Sequence, residues 1–402
     1  MRFLKKLLIL FLCCVILFGS LQPSVVLADD KYEDETVTGV CSEPEPAAFS
    51  KKPAIDAAAA IVMDSKSGRV LYEKNSRVKK AIASTTKIMT CIIALERGNP
   101  DDIVTVSKRA ASVWGSTIKL KQGQKLKLEE LLYGLMLNSG NDAAIAIAEH
   151  IGGTVESFAV MMNEKAREIG AFDSSFKTPH GLDVQGHYST AYDMALITRY
   201  ALTNPQFSKI VGTKSAQISC KGLYNTNEML GVYPGADGVK TGYTGQAGRC
   251  LVTSATRGGM RLISVVLGSP TRTKRAQASK SILDYSFLNY KPYTVLEAGE
   301  VIKSIPAEKG VLKEVEIKAV EEFVLPMTES EISSLEREVT LPAKMEAPLR
   351  EGQEAGTIKL LLNGEVLLQS KLVAAKSVER KGLVDYFGEL LLKWQRIMRQ
   401  GI

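Results

Sequence analysis

The sequence predicts an α/β (α+β) domain with an antiparallel sheet flanked by helices, then a small all-β domain and a terminal amphipathic helix. Three observations lead there. Strand-like runs lie at both ends of the first 290 or so residues, with helical runs between them. From about residue 292 the apolar pattern shifts toward period two. The final segment, "KGLVDYFGELLLKWQRIMRQGI", gathers its apolar residues on one helical face.

Taken in order, residues 1–28 read as an export signal. Arg2, Lys5 and Lys6 precede the apolar run Leu7 to Phe18, and Val26-Leu27-Ala28 forms a small-residue cleavage site. The run is shorter than the roughly 20 residues a membrane span needs. Cys13 lies inside that run behind Leu-Phe-Leu, which does not suit a lipoprotein site. Residues 29–52 are acidic and Pro-containing, a flexible linker.

The expected first domain covers 53–291. "AAAAIVMDSKSGRVLYEKN" holds two apolar runs around Ser65-Lys66-Ser67-Gly68, a hairpin pattern. A helix carrying Ser84 follows, then two helical runs broken at Ser139-Gly140-Asn141. "GVKTGYTGQAGRCLVTSATRGGMRLISVVLGS" reads as strands parted by turn glycines, and "TKRAQASKSILDYSFLNY" as a closing helix. The sheet is expected to join the two extremities of this region.

Residues 292–378 form the expected β domain, a spacer without a chemistry-bearing cluster. Its strongest signal is Asn363-Gly364 between two apolar strands, the pattern of a type I′ hairpin. In residues 379–402, Leu383, Phe387, Leu390, Leu391, Trp394 and Met398 share a helical face, with Lys393, Arg396 and Arg399 on or beside the polar face. Such a helix suits a membrane interface; the competing reading is a helix packed on its own domain.

At 402 residues, 45% apolar and 24% charged, the composition is that of a globular protein. The net charge of +7 includes the three cations of the export segment, leaving +4. That is too mild for a nucleic-acid partner, and no basic block with interleaved aromatics appears. Beyond the signal stand Cys41, Cys91, Cys220 and Cys250, whose spacing shows no disulfide framework. Cys91, seven residues after Ser84, reads as a small core residue. Neither an essential disulfide, a metal cluster nor a cofactor is expected.

The chemistry begins with "AIASTTKIMT", residues 81–90. Ser84 and Lys87 stand at i and i+3, on one helical face. Burial among Ile82, Ile88 and Met89 favours the neutral amine, a competent base for a serine nucleophile. Alone, Ser-x-x-Lys is a weak signal. Ser139-x-Asn141 adds polar side chains at a break between helices, where a loop can aim them into a cleft. Lys240-Thr241-Gly242 adds donors for an anion and a glycine that lets a backbone approach closely.

These three elements, in this order, are the set of the serine penicillin-binding proteins and β-lactamases. From about Ala58 to Tyr290 the chain resembles the low-molecular-mass penicillin-binding proteins, serine D-alanyl-D-alanine carboxypeptidases of the peptidase S11 type. "IVMDSKSGRVLYEKN", "LLYGLMLNSGNDAA", "HGLDVQGHYSTAYDMA" and "DGVKTGYTGQAG" strengthen the likeness, and the β domain and terminal helix continue it. The resemblance implies the penicillin-binding transpeptidase-like fold and a substrate of peptidoglycan stem peptides ending in D-Ala-D-Ala, with β-lactams as inhibitors. It implies that Ser84 attacks the penultimate D-Ala carbonyl while Lys87 takes its proton. Ser139 relays a proton to the leaving amine, Asn141 holds Lys87 and the substrate amide, and Lys240 stabilises local negative charge and orients Ser139. Thr241, aided by Arg275, binds the terminal carboxylate beside Gly242. The N–H groups of Ser84 and Tyr243 form the oxyanion hole. One departure stands out: Thr178-Pro179-His180-Gly181-Leu182 has Thr where the family has Asn, which puts the local loop structure in doubt.

Three other readings compete. His180 and His187 with Asp183 or Asp193 could suggest zinc, but the spacing is irregular and His-Glu-x-x-His is missing. A β-lactamase would need a glutamate to activate the deacylating water, and no Glu-x-x-x-Asn lies between 139 and 240. A catalytically silent penicillin-binding sensor or scaffold would keep the motifs but release no D-Ala.

Overall fold

A computed structural model describes residues 51–219 and 221–399. The expected export signal, all but the last two residues of the linker, Cys41 and Cys220 lie outside the described residues.

The first domain is built on an antiparallel five-stranded sheet. Its strands are β1 (Ala59–Asp64), β2 (Val70–Lys74), β7 (Ala236–Thr244), β8 (Gly248–Arg257) and β9 (Met260–Ser269), in the order β2-β1-β9-β8-β7. The hairpin β1–β2 therefore docks on β9, from the far end of the domain, with Ala59 opposite Leu267 and Asp64 opposite Leu262. All six residues of β1 are buried, because the sheet is covered on both faces. Side chains alternate across a strand. Ala60 and Val62 pack with Leu251, Val266, Ile282 and Leu283 toward the helix Arg272–Asn289. Ala59, Ile61 and Met63 face the opposite cluster of helices with Ile88, Met89 and Ile92. Each of the valine, leucine, isoleucine and methionine side chains contributes about 1.5–3 kcal/mol by leaving water.

The helical cluster includes Lys87–Arg97, Leu128–Leu137, Asn141–Gly152, Val155–Ile169, Ala191–Ala201 and Pro205–Gly212. Local chemistry sets their ends. Thr154, Thr190 and Asn204 accept hydrogen bonds from first-turn N–H groups, Pro205 opens its helix at the first position, and Gly170 ends its helix at φ +87°. Two short hairpins border the cluster: β3 (Ile103–Thr105) with β4 (Lys125–Lys127), and β5 (Ser215–Ile218) with β6 (Lys221–Tyr224).

The β domain pairs β10 (Lys291–Leu296) with β13 (Phe323–Met327). A six-stranded sheet runs β14-β16-β17-β12-β11-β15. It is made of β11 (Val301–Glu308), β12 (Glu314–Ala319), β14 (Leu335–Thr340), β15 (Met345–Glu346), β16 (Glu354–Leu362) and β17 (Glu365–Ala374). The β16–β17 turn has Asn363 at φ +53° and Gly364 at φ +82°, both positive as a type I′ turn requires. Between the domains, Arg69 donates to the Pro326 carbonyl and pairs with Glu331. The helix Leu383–Arg399 has no buried residue; Leu383, Phe387, Leu390, Trp394 and Met398 are all exposed. No helix among the described residues is long and apolar enough to cross a membrane.

Candidate active site

The sequence predicts one helix carrying both Ser84 and Lys87; the structure divides them. Ser84 lies in a 3-10 turn, Ala83–Thr86, and Lys87 is the first residue of the α-helix. The reason is visible in Ala83, whose φ of +47° no α-helix accepts. In a 3-10 turn, side chains at i and i+3 eclipse one another, which brings this pair into register. Lys87 Nζ stands 2.8 Å from Ser84 Oγ.

Lys87 is completely buried. Its Nζ donates to Asn141 Oδ1 at 2.8 Å and to the His180 carbonyl at 2.9 Å. Both partners are acceptor-only oxygens, so each takes an N–H. The third contact, to Ser84, can run either way: an ammonium donates to the hydroxyl, and a free amine accepts its proton. Burial pushes the Lys87 amine well below the ordinary lysine range, the charge of Lys240 pushes it further, and Asp142 opposes both. The neutral amine is thereby favoured, leaving a lone pair for the serine proton.

Ser139 and Asn141 come from the break between the helices Leu128–Leu137 and Asn141–Gly152. Ser139 has φ +59°, a left-handed conformation that is strained for serine. Its neighbours hold it there: Gly140 N–H donates to the Gly134 carbonyl at 3.0 Å, and Asn141 N–H to the Ser116 carbonyl at 2.7 Å. Asn141 Nδ2 donates to the Trp114 carbonyl at 2.8 Å, which fixes the amide so that its oxygen faces Lys87. Asp142 anchors the same loop by accepting from Ile118 and Leu120 N–H groups.

Lys240, Thr241 and Gly242 lie on β7, an edge strand of the sheet that packs against the 3-10 turn. A Cβ on Gly242 would come 2.8 Å from Ser84 N, so no side chain fits between this strand and the nucleophile. Lys240 is buried and Nζ donates to the Thr241 carbonyl at 3.0 Å. The Thr241 hydroxyl is 2.9 Å from that of Thr226. The ring of Tyr243 stacks under Arg249 at 3.8 Å.

Arg275 lies on the closing helix Arg272–Asn289. It is fully buried, and Nη2 donates to both carboxylate oxygens of Glu228, at 2.7 and 3.0 Å. The guanidinium is held inside the domain by an acid 47 residues away in sequence, which balances its charge.

The unusual Thr178 keeps its loop in shape, because its hydroxyl accepts from Gly181 N–H at 3.1 Å. Gly181, at φ +85°, admits no substitution: a Cβ there would lie 1.9 Å from the Ala83 carbonyl oxygen. This loop delivers the His180 carbonyl to Lys87, a contact the sequence could not signal, since any residue has a carbonyl. His187 Nδ1 accepts from Lys177 N–H at 3.0 Å, so Nε2 carries the proton that Thr86 Oγ1 accepts at 2.8 Å. Burial lowers His180 to about 3 and His187 to about 4. The two aspartates of the zinc reading are engaged elsewhere: Asp183 accepts from Thr244, and Asp193 from Ser174.

Comparison with known proteins follows the same lines. The peptidase S11 family description, D-alanyl-D-alanine carboxypeptidase, matches residues 47–271, and the C-terminal domain of penicillin-binding protein 5 matches residues 290–380. D-alanyl-D-alanine carboxypeptidase DacF of Bacillus subtilis is 36% identical over 369 residues, covering 87% of this chain and 95% of the relative. The Escherichia coli carboxypeptidase DacC is 36% identical over 360 residues, covering 86% and 88%. Penicillin-binding protein 5 of Haemophilus influenzae superposes with a TM-score of 0.73 at 33% identity, over 82% of this chain and 99% of that structure.

Proposed function

The chain belongs to the D-alanyl-D-alanine carboxypeptidase family, and on that premise we propose that it removes the terminal D-Ala of peptidoglycan stem pentapeptides through an acyl-enzyme on Ser84. The observation that carries this reading is the buried Lys87 amine, whose two acceptor-only partners leave one site for the Ser84 hydroxyl.

Ser84 Oγ attacks the penultimate D-Ala carbonyl carbon while its proton passes to Lys87 Nζ. The tetrahedral oxyanion is met by the N–H groups of Ser84 and Tyr243. Collapse breaks the peptide C–N bond, and the leaving amine takes its proton through Ser139 from Lys87. Water then attacks the Ser84 ester, giving its proton to Lys87, and Ser84 regains its hydrogen as the acid departs. Asn141 and the His180 carbonyl keep the lysine aimed throughout, Lys240 supports the developing negative charge, and Thr241 receives the substrate carboxylate. A β-lactam acylates Ser84 by the same route and opens its own ring.

We also read the helix Leu383–Arg399 as a peripheral anchor on the outer face of the cytoplasmic membrane, reached through the export signal at 1–28. Its exposed apolar face beside Lys393, Arg396 and Arg399 supports this, since such a face in water has no other cover among the described residues.

D-Ala release from diacetyl-Lys-D-Ala-D-Ala tests the enzyme. Wild type is expected to release it, and Ser84→Ala to lose about 10⁴-fold or more. Silence of the wild type would favour the sensor reading. Co-sedimentation with anionic liposomes, with and without residues 382–402, tests the anchor; equal binding would refute it.

A further inference from the structure

The Arg275–Glu228 pair lies next to the strand that carries Lys240 and Thr241. Arg275 Nη1 donates to the Cys250 carbonyl at 3.4 Å, and Cys250 is the ladder partner of Gly242. Glu228 is itself nearly buried, with a side-chain exposure of 7%, and Arg272 Nε approaches its second oxygen at 4.0 Å. The same short segment carries Thr226, whose hydroxyl touches that of Thr241 and whose N–H donates to the Leu137 carbonyl. Two residues of chain span at most about 7 Å. Glu228 is thus tied to the threonine that receives the carboxylate and to the helix end that leads into Ser139.

A guanidinium facing only carbonyls there would place a full positive charge beside Thr241, where low dielectric makes it a strong attractor for a carboxylate. Paired with Glu228, it presents a dipole instead. From this we propose that Glu228 is a specificity-determining residue that relaxes the demand for a free carboxylate at the substrate's end. The inference rests on the carboxypeptidase reading above and extends it. The enzyme accepts D-Ala-D-X peptides whose last residue ends in an amide or peptide bond, because Thr241 contributes a hydroxyl to either group and the arginine contributes little field to distinguish them.

The test compares diacetyl-Lys-D-Ala-D-Ala with its C-terminal amide, on full-length wild type and Glu228→Gln. In wild type the acid is favoured over the amide by less than about tenfold in kcat/KM; in Glu228→Gln, which keeps the shape and an acceptor oxygen, the ratio rises about tenfold or more. The rise is carried by a lower KM for the acid, a split that a merely structural role would not produce. Adding Arg275→Gln to Glu228→Gln returns the ratio toward wild type. Arg275→Gln alone leaves the Glu228 carboxylate with only the more distant Arg272 against it and drives the ratio below wild type, which tests the idea even if Glu228→Gln fails to fold. An unchanged ratio in these variants, or a wild-type preference already above about a hundredfold, overturns the proposal while leaving the carboxypeptidase reading intact. A wild type that accepts penicillin but cleaves neither peptide overturns both.

Discussion

Lys87, Lys240, Asp142, Asn141, His180 and Arg275 are all buried in the first domain. The core of the β domain holds Val315, Ile317, Ile358, Leu360 and Leu372, and among the described residues its buried side chains are apolar. Both domains exclude water, but one uses the excluded space for polar groups that cost stability and the other does not. The difference teaches where chemistry is possible. Burial that is merely hydrophobic stabilises a fold, whereas burial of a lysine whose partners are fixed oxygens changes its acidity.

That contrast can be broken from the catalytic side. Lys87→Met removes the base from a site that stays filled, so penicillin acylation of Ser84 should fall by about 10³-fold or more. The same change relieves the cost of burying an amine but strands Asn141 Oδ1 and the His180 carbonyl. These effects should cancel to within about 2 kcal/mol in a urea titration. A collapse in stability together with activity would mean that Lys87 is structural.

From the other side, Leu360→Ala opens the β-domain core and should cost about 2–5 kcal/mol in its unfolding. D-Ala release at 25 °C should keep its kcat/KM within about twofold, because the two sites share no side-chain partners. A large loss of activity would make the β domain part of the catalytic unit rather than a spacer.

A smaller effect comes from acid. The chain's three histidines are His150, His180 and His187, all in the first domain. Since His180 and His187 titrate near 3 and 4 when folded, well below 6.5, the unfolded chain binds protons first as pH falls. Their contribution is complete above about pH 6.5 and is lost progressively down to about pH 3–4. The Tm should therefore drop between pH 7 and pH 5, and His187→Gln should shrink that drop. An equal drop in the variant would assign the acid sensitivity to other groups.

Much of this was legible in the sequence because it is carried by side-chain identity at short spacing. The hairpin at Ser65–Gly68, the break at Ser139–Asn141 and the Asn363-Gly364 turn follow from local backbone preferences. What escaped was long-range or carried by the main chain. The His180 carbonyl is a backbone group, delivered by a loop that Gly181 alone can form. The Trp114 carbonyl that orients Asn141 gives no signal for the same reason. Glu228 is an ordinary glutamate until the fold brings it to Arg275, so their pairing gives no signal in the sequence. The 3-10 turn at Ser84 was hidden as well, since the left-handed Ala83 is imposed by the packing of β7 and the Gly181 loop around it.

The central claim is that burial makes Lys87 the base, and the pH dependence of Ser84 acylation tests it most directly. A base must be unprotonated to act, so the second-order rate with a β-lactam rises with pH through the pKa of Lys87. With that pKa well below the lysine range, the rate should level off before the pH at which an ordinary lysine titrates, and the rising limb should vanish from the residual rate of Lys87→Met. A rate that keeps climbing toward pH 10, or a limb unchanged in the variant, would contradict the account.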